Sequence, residues 1–560
     1  MPLVTGYGSG SGPGSATAGG QPAAIRDRVA VVFALTAVCL GLYLYLGRLS
    51  SSPLQTGNES MYAVPPIYML QYRDFLVPRF EGATFLDKPP LAHWSIAASY
   101  SLFGISVASE RLPGAVASLA TVLAVYLWVR RRSGERAAVL AGLILLFTYS
   151  FWTFMRYSSG DVFLTLFVTL AAFALDAASR NTEGSDWRYA VPAGIALGLA
   201  FLSKGLIGLV LPVGAVATGL LLDRTRPIRA WSRGLAAAVV VLAVTAPWHW
   251  AMTRRLGADF WKQFYWEQQF LRGATSRFMP SARGIVYYIP VLALAAFPWS
   301  LFLIRSLRRR RPSSLPLGWF LFGIVFWSLL VMKREVYMMP LFPAIAILVA
   351  ERLESEAARE RPPGRLAWFL AAAVVILALA VVVWGFRFLS ATLGRDAVIL
   401  VAPSLAILAL VLLAGGLTAE RVRIPIAMAV ACGLVFFALE KVDEGINRFD
   451  PIPEFGERVR RECPSGCDAF FVSLNAAHQE FYSRSPWIPL GRPRELIGRT
   501  HHKTAYLLMR TADEPLLSEV PMPSVVLERR PWLAGSWMKA ARTPGKSPFE
   551  SLSLVRLDLP

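Results

Sequence analysis

Short polar stretches interrupt an otherwise apolar chain, and in them acids and bases fall side by side. Asp87-Lys88 is followed at once by Pro89-Pro90, whose rings restrict the backbone beside the two charges. Glu59 lies in a second stretch, Arg156 and Asp161 in a third, and Lys204 interrupts a long apolar run. Glu267 precedes Arg272, and Lys333, Arg334, Glu335 and Tyr337 stand together. Cations of this kind neutralise phosphate, while a carboxylate orients a sugar hydroxyl or takes its proton. An amphiphilic substrate with an anionic head group fits such a set.

Each residue also has a plainer reading. Asp161 follows Ser158-Ser159 where a helix starts, and a carboxylate there complements the helix dipole. Lys204 suits a side chain snorkelling from a helix break, and Arg272 suits a lipid head group. Glu59 suits a solvated helix face. His93, Trp248 and His249 read as interface anchors rather than chemistry.

The elements that must position these groups are read from the apolar pattern. Of 560 residues 55% are hydrophobic and only 17% charged, with a mean hydropathy of +0.47. A soluble chain is about 25% charged, so this apolar surface faces something other than water. Runs long enough to span a bilayer fall at 29–47, 111–129, 137–155, 161–178, 189–203, 205–222, 234–252, 285–304, 315–332, 336–350, 366–385, 398–416 and 424–440. The reading is an all-α polytopic membrane protein of about 13 transmembrane helices. Residues 189–222 as one helix would measure ~50 Å against a hydrocarbon core of ~30 Å, so a break is placed at Ser203-Lys204-Gly205.

The net charge of +20 is spread in Arg clusters between apolar runs, which argues for membrane orientation and against a nucleic-acid partner. With the N-terminus in the cytoplasm, the clusters at 130–136, 180–188, 224–233, 305–311, 352–365 and 421–423 all fall on the cytoplasmic side. That parity requires 91–105 to lie flat in the interface instead of spanning. Residues 1–25 read as a disordered tail, 26–445 as the membrane domain with an outer catalytic loop at 49–110, and 446–560 as a small periplasmic α/β domain. In that last part 468–474, 504–509, 524–527 and 551–555 read as strands and 476–483 as a helix, with no catalytic constellation. Cys463-Pro-Ser-Gly-Cys467 reads as a turn closed by a disulfide in an oxidising compartment.

Several stretches together resemble one known family. Thr56-Gly57-Asn58-Glu59-Ser60-Met61-Tyr62-Ala63, Val77 to Gly82 and Leu86 to Leu91 are similar to the first outer loop of the aminoarabinose transferase and protein O-mannosyltransferase group. The similarity continues at Gly160-Asp161, Gly198 to Gly205, Ala246-Pro247-Trp248, Glu267 to Arg272 and Lys333 to Pro340. These are GT-C-type glycosyltransferases that use polyprenyl-phosphate sugars. The resemblance implies inverting transfer of a sugar, 4-amino-4-deoxy-L-arabinose among the candidates, from undecaprenyl phosphate to an acceptor such as lipid A. The site would lie at the periplasmic face of the inner membrane. By position, Lys88, Arg272 and Tyr337 would meet the donor phosphate, joined by Lys204 and Lys333, with Glu59, Asp87 and Asp161 as catalytic carboxylates. Asp87 stands where relatives show Glu, and Asn58 where many carry Asp. Without that carboxylate a divalent metal is not favoured and no cofactor is expected. The alternative is a transporter or flippase of lipid-linked sugars, but such proteins place ionisable groups near the midplane and carry internal repeats.

The parity gives an outcome to measure in intact cells. Cysteines introduced at 306–312 should resist membrane-impermeant thiol reagents, and one near 455 should react; labelling of the 306–312 positions from outside would overturn the orientation and the interfacial reading of 91–105.

Overall fold

The computed structural model describes residues 21–54, 59–154, 156–180, 186–224, 230–271, 284–307, 313–358, 365–384, 395–417, 423–447, 450–463, 467–472, 474, 478–497, 499–533 and 549–558. Of the residues singled out above, Asn58, Arg272, the Arg308 to Arg311 cluster, Arg226, Arg229, Arg359, Arg361 and Arg421 lie outside this set, as does the tail 1–20.

In its described residues, every apolar run picked out in the sequence falls mainly on helical backbone. The helices are unequal, however. By length and composition five described helices can cross a membrane: Val107–Ser133, Gly160–Arg180, Ser232–Leu256, Glu335–Glu356 and Ile424–Gly445. Ile285–Ala295 with Ser300–Leu307 makes a sixth only as a broken span, bent by 117°, while Ile207–Leu222, Ser314–Leu329 and Ile399–Ala414 are apolar but shorter. The run 137–155 is not one helix: Glu135–Leu146 ends before Phe147-Thr148, and Tyr149–Phe154 starts afresh. The break near Lys204 is present. Helix Asp186–Lys204 stops, Gly205 takes φ +76, and Ile207–Leu222 follows. Leu91–Phe103 is a separate helix of 13 residues.

Charge matching separates the two ends of the helical body. At one end Asp176 accepts from Arg132 and Arg180, both at 2.6 Å, and Arg180 also reaches Asp223 at 2.7 Å. Beside them Glu351 accepts from Ser133 and Ser313, and Glu356 from Arg305 and Arg352. Arginines from four of the basic clusters, Arg132, Arg180, Arg305 and Arg352, are thus closed by two shared carboxylates, Asp176 and Glu356.

The C-terminal residues form a five-stranded sheet in the order Trp487–Leu490, Asp468–Val472, Thr504–Arg510, Phe549–Asp558, Ser524–Leu533. The first three strands are parallel and the last two antiparallel to their neighbours. Helix Ile452–Glu462 packs Ile452, Phe455 and Val459 on the face carrying Ala469 and Phe471, while Phe470 and Val472 face the other way, as strand alternation requires. The strand missed in the sequence, Trp487–Leu490, is short, lies at the sheet edge and contains Pro489, a residue tolerated there. The expected Cys463–Cys467 disulfide is not formed: both are free thiols, with Cys467 buried between helix and sheet.

This domain is docked on the connection spanning 49–110. The Leu54 N–H donates to Tyr482 Oη at 2.7 Å, Arg484 donates to the Ile105 carbonyl at 2.9 Å, and Tyr68 Oη donates to Glu480 at 3.2 Å. Burial pushes the Glu480 carboxyl from its ordinary 4.5 up to about 8, outweighing hydrogen bonds from the Trp487 and Glu81 N–H groups and Tyr68, while the nearby Glu81 carboxylate pushes the same way as burial. The folded state thus resists ionisation of Glu480, which in the unfolded chain ionises near 4.5, so its contribution to stability falls as pH climbs from 4.5 to about 8 and is flat above that. Thermal unfolding of the detergent-solubilised protein should show this decline across that window, and Glu480→Gln should remove it; an unchanged pH profile in that variant would refute the assignment.

Candidate active site

Glu59 begins the helix Ser60–Tyr72, and Arg111 lies in the first turns of Val107–Ser133, whose start is fixed by a capping box between Ser106 and Ser109. The two side chains meet in a bidentate ion pair, Nε to Oε1 at 2.6 Å and an Nη to Oε2 at 3.1 Å. Arg111 is 3% exposed and Glu59 4%. The remaining guanidinium donors reach the carbonyls of Leu49, Ser52 and Pro53 at 2.9–3.0 Å. Both Glu59 oxygens are engaged by Arg111, so Glu59 braces the wall of the cavity that it also lines.

Asp161 sits in the first turn of Gly160–Arg180 and pairs with Lys204 at the end of Asp186–Lys204. Two glycines permit this approach. A Cβ on Gly160 would come within 2.9 Å of Tyr62 Oη and 2.8 Å of the Ser203 carbonyl, and one on Gly205 within 2.4 Å of the Gln269 side chain. The Lys204 ammonium also lies 4.4 Å from the centre of the Tyr337 ring, a cation–π contact, and Tyr337 stacks on Trp327 at 4.9 Å.

Asp87 and Lys88 close the third side. Lys88 Nζ is 3.8 Å from Asp87 Oδ2, a looser pairing, with both side chains partly exposed. His93 one turn on is fully buried and donates from Nε2 to the Met61 carbonyl, so it is no interface anchor. Burial pushes its imidazole down to about 4, and the Lys88 charge pushes the same way, so it is neutral at physiological pH. Trp248 and His249 likewise face inward, His249 hydrogen-bonding Tyr265 at 2.5 Å.

These groups surround one cavity of ≈ 220 Å³. Its polar wall carries Glu59, Asp87, Lys88, Asp161 and Lys204, and its apolar wall Leu206, Ile207, Val210, Phe326 and Leu330, with Tyr337 between. Of the residues expected from sequence, Lys333 is not in the lining; it is buried and donates to the Leu330 carbonyl. Its neighbour Arg334 takes that position on the wall, because the 3-10 segment Glu335–Leu341 sets the phase of the chain there. Glu110, Ser158, Ser159 and Gln269 also line the cavity and were not singled out. Glu110 follows Ser109 inside an apolar helix start, where sequence offers no sign of the cavity. Arg272 lies outside the described residues. Among the described residues no three His, Cys, Asp or Glu side chains are grouped as a metal ion would need.

Known proteins share this chain's pattern. The dolichyl-phosphate-mannose-protein mannosyltransferase family matches residues 87–250. An undecaprenyl phosphate-alpha-4-amino-4-deoxy-L-arabinose arabinosyl transferase of Pseudomonas paraeruginosa is 32% identical over 332 residues, 57% of this chain and 59% of that one. A second transferase of the same description, from Pseudomonas fluorescens, is 28% identical over 62% of this chain and 60% of its own length. The chain thus spans about six tenths of these curated relatives. An uncharacterised protein of Aquifex aeolicus is 31% identical over 63% of this chain and 69% of its own. The crystal structure of ArnT from Cupriavidus metallidurans bound to undecaprenyl phosphate superposes with a TM-score of 0.75 at 19% identity, covering 94% of this chain and 98% of that one, so the whole fold is shared.

The buried pair predicts its own mutational signature. Arg111→Met should destabilise the protein by about 3–5 kcal/mol, because it strands the Glu59 carboxylate away from water. Adding Glu59→Gln should recover part of that loss in thermal unfolding; equal stability of wild type and Arg111→Met would show that the pair carries no structural weight.

Proposed function

We propose, from the chain's membership of the GT-C membrane glycosyltransferases of the aminoarabinose transferase group, that it transfers a sugar from undecaprenyl phosphate to an envelope acceptor such as lipid A. The protein is a multi-pass membrane protein, and we place it in the inner membrane with the N-terminus cytoplasmic and the C-terminal domain periplasmic. One observation carries the reading. A single cavity joins an apolar wall, suited to the first isoprene units, to a polar wall where Lys88, Lys204 and Arg334 stand among carboxylates. A lipid-linked sugar phosphate has that division of character. The relatives named for undecaprenyl phosphate-aminoarabinose support the same donor.

In this reading an acceptor oxygen attacks the anomeric carbon on the face opposite the phosphate, the C–O bond to phosphate breaks, and undecaprenyl phosphate leaves as an anion. Inversion follows from that geometry. Lys88, Lys204 and Tyr337 meet the growing negative charge, with Arg334 joining them and Arg272 assigned from sequence. Asp161, paired with Lys204, and Asp87, beside Lys88, orient sugar or acceptor hydroxyls. Glu59 is already matched by Arg111 and Asp161 by Lys204, which supports neutralisation by side-chain cations over a bound divalent metal. A flippase is less well supported, since the cavity is lined by both acids and bases fitted to a reaction.

Lys88→Ala should lower turnover on the order of 10²-fold, the scale for losing one preorganised charge-stabilising group, and Lys88→Arg should restore only part. EDTA should leave transfer largely intact. Activity lost to EDTA and restored by manganese, with Lys88→Ala near wild type, would reverse the assignment. Mass spectrometry of envelope lipids from cells with and without the gene names the transferred sugar and its acceptor.

A further inference from the structure

Asp87 and Lys88 occupy a short connection between two fixed bodies. Downstream, Pro89-Pro90 lead directly into the helix Leu91–Phe103, with Pro90 at its N-cap. Upstream, Arg79–Phe80 and Ala83–Thr84 pair as a two-stranded hairpin, Arg79 opposite Thr84 and Phe80 opposite Ala83, closed by the Phe85 N–H donating to the Pro78 carbonyl at 2.8 Å. Phe85 packs its ring against Phe80 and His93. Where the hairpin goes, Asp87 and Lys88 follow within a few residues.

A two-stranded hairpin has too little buried area to hold its own place in water. This one is tied at its turn. Glu81 and Gly82 both take positive φ, 50 and 72, and the Glu81 N–H donates to Glu480 Oε2 at 3.4 Å. The same oxygen accepts from Tyr68 Oη at 3.2 Å, and Oε1 accepts from the Trp487 N–H at 2.8 Å. Glu480 is 1% exposed. One buried carboxylate of the C-terminal domain thus joins the helix Ser60–Tyr72, the hairpin turn and the edge strand of its own sheet. The second tie is another hydrogen bond: Arg484 at the end of the same helical turn, Gln479–Ser483, donates to the Ile105 carbonyl beyond the Leu91–Phe103 helix.

We propose that Glu480 is a positioning residue for the transfer site: through it the C-terminal domain holds the 79–84 hairpin, and thereby sets where Lys88 and Asp87 stand on the cavity wall. The role of Lys88 in meeting the donor phosphate is taken from the function proposed above. The C-terminal domain then contributes to the reaction by fixing a loop of the membrane domain. A displacement on the order of 1 Å at a charge-stabilising group is enough to cost ~10²-fold in rate, so a loosened hairpin has a measurable effect without any change in fold.

The test uses the full-length protein in detergent or proteoliposomes and has two independent arms. In the first, amide hydrogen exchange is compared between wild type, Glu480→Ala and Tyr68→Phe. The amides of 79–85 should lose protection in Glu480→Ala, and in smaller degree in Tyr68→Phe, while the amides of Thr504–Arg510 stay protected. Unchanged hairpin protection in Glu480→Ala overturns the proposal, whatever the protein's substrate. General loss including the sheet assigns Glu480 to domain folding and also overturns it, unless Tyr68→Phe, which leaves the domain's own residues untouched, exposes the hairpin alone.

The second arm is a double-mutant cycle on transfer from undecaprenyl-phosphate-linked 4-amino-4-deoxy-L-arabinose. Glu480→Ala should lower kcat by roughly 10-fold or more, and Glu480→Gln, whose one acceptor oxygen can serve the Glu81 or the Trp487 N–H but not both, should recover part of it. In a Lys88→Ala background the further loss from Glu480→Ala should shrink to about 2-fold, because both changes remove the same contribution. Full additivity overturns action through the Lys88 loop. Wild-type protein that fails to transfer this sugar counts against the proposed function alone, and the exchange arm still decides whether Glu480 holds the hairpin.

Discussion

Arg111 brings five N–H donors into a region where it is almost wholly buried, and every one of them needs an acceptor there. Two go to Glu59, from Nε and one Nη, and the other three reach the carbonyls of Leu49, Ser52 and Pro53. Those carbonyls belong to the stretch where the first helical segment, ending in Tyr43–Gly47, turns into the outer loop, and Glu59 belongs to the start of Ser60–Tyr72. One guanidinium therefore folds three pieces of chain around itself. It also lies 5.3 Å from the Tyr157 ring, next to the Ser158-to-Asp161 stretch that opens the neighbouring helix. The outer loop, the helix carrying Asp161 and the polar wall of the cavity all take their places relative to this side chain.

The two ends of the helical body use charge differently. Away from the cavity, carboxylates such as Asp176 and Glu356 each hold two arginines, joining helix ends that are distant in sequence. Such closed sets leave little for a ligand to displace. At the cavity end Glu440 likewise holds two arginines, Arg48 and Arg156, but of the pairs in the cavity wall one, Asp87 with Lys88, is separated by 3.8 Å. The helices are thus locked together at both ends, and the cavity end also carries a looser, chemically responsive pair. The docked C-terminal domain reinforces the responsive end, with Tyr482, Glu480 and Arg484 reaching three different parts of the outer loop.

Much of this was legible in the residue pattern. Apolar periodicity placed the helices, and the length limit of a bilayer located the turn at Gly205 that delivers Lys204 to Asp161. Asp87, Lys88, Asp161, Lys204 and Tyr337, drawn from four separate stretches, do line one cavity. What escaped was contact between distant segments. Arg111 begins an apolar run and reads as a boundary charge; its partner is 52 residues away, and nothing local announces the pair. Glu480 is 412 residues from Tyr68 and sits in a helix of five residues, too short for periodicity to show which face is buried. Lys333 and Arg334 are adjacent cations, and the choice between them rests on a 3-10 turn whose phase the sequence does not display. The interfacial reading of Leu91–Phe103 assigned His93 to the membrane surface because a lone histidine in an apolar helix has no visible partner, whereas the fold supplies the Met61 carbonyl and covers the ring.

The pairing of acids with the cavity cations has a consequence for the proposed transfer. Substrate and product both present a phosphate, and after transfer the departing lipid phosphate carries more negative charge at the bridging oxygen, which keeps the electron pair of the broken C–O bond. Cations with no internal partner would bind that product more tightly than the donor and release it slowly. Lys204 has Asp161 to return to, and Lys88 has Asp87. Each acid lowers the cost of an empty site by keeping its cation matched, and by the same interaction competes with the phosphate for it. Asp87, more exposed and farther from its cation than Asp161, competes less, so the Lys88 side of the wall is left the stronger grip on the departing charge. The cavity then binds an anion by exchanging partners, and the positions of those partners, set by Arg111 on one side and the docked domain on the other, govern how evenly the exchange is balanced.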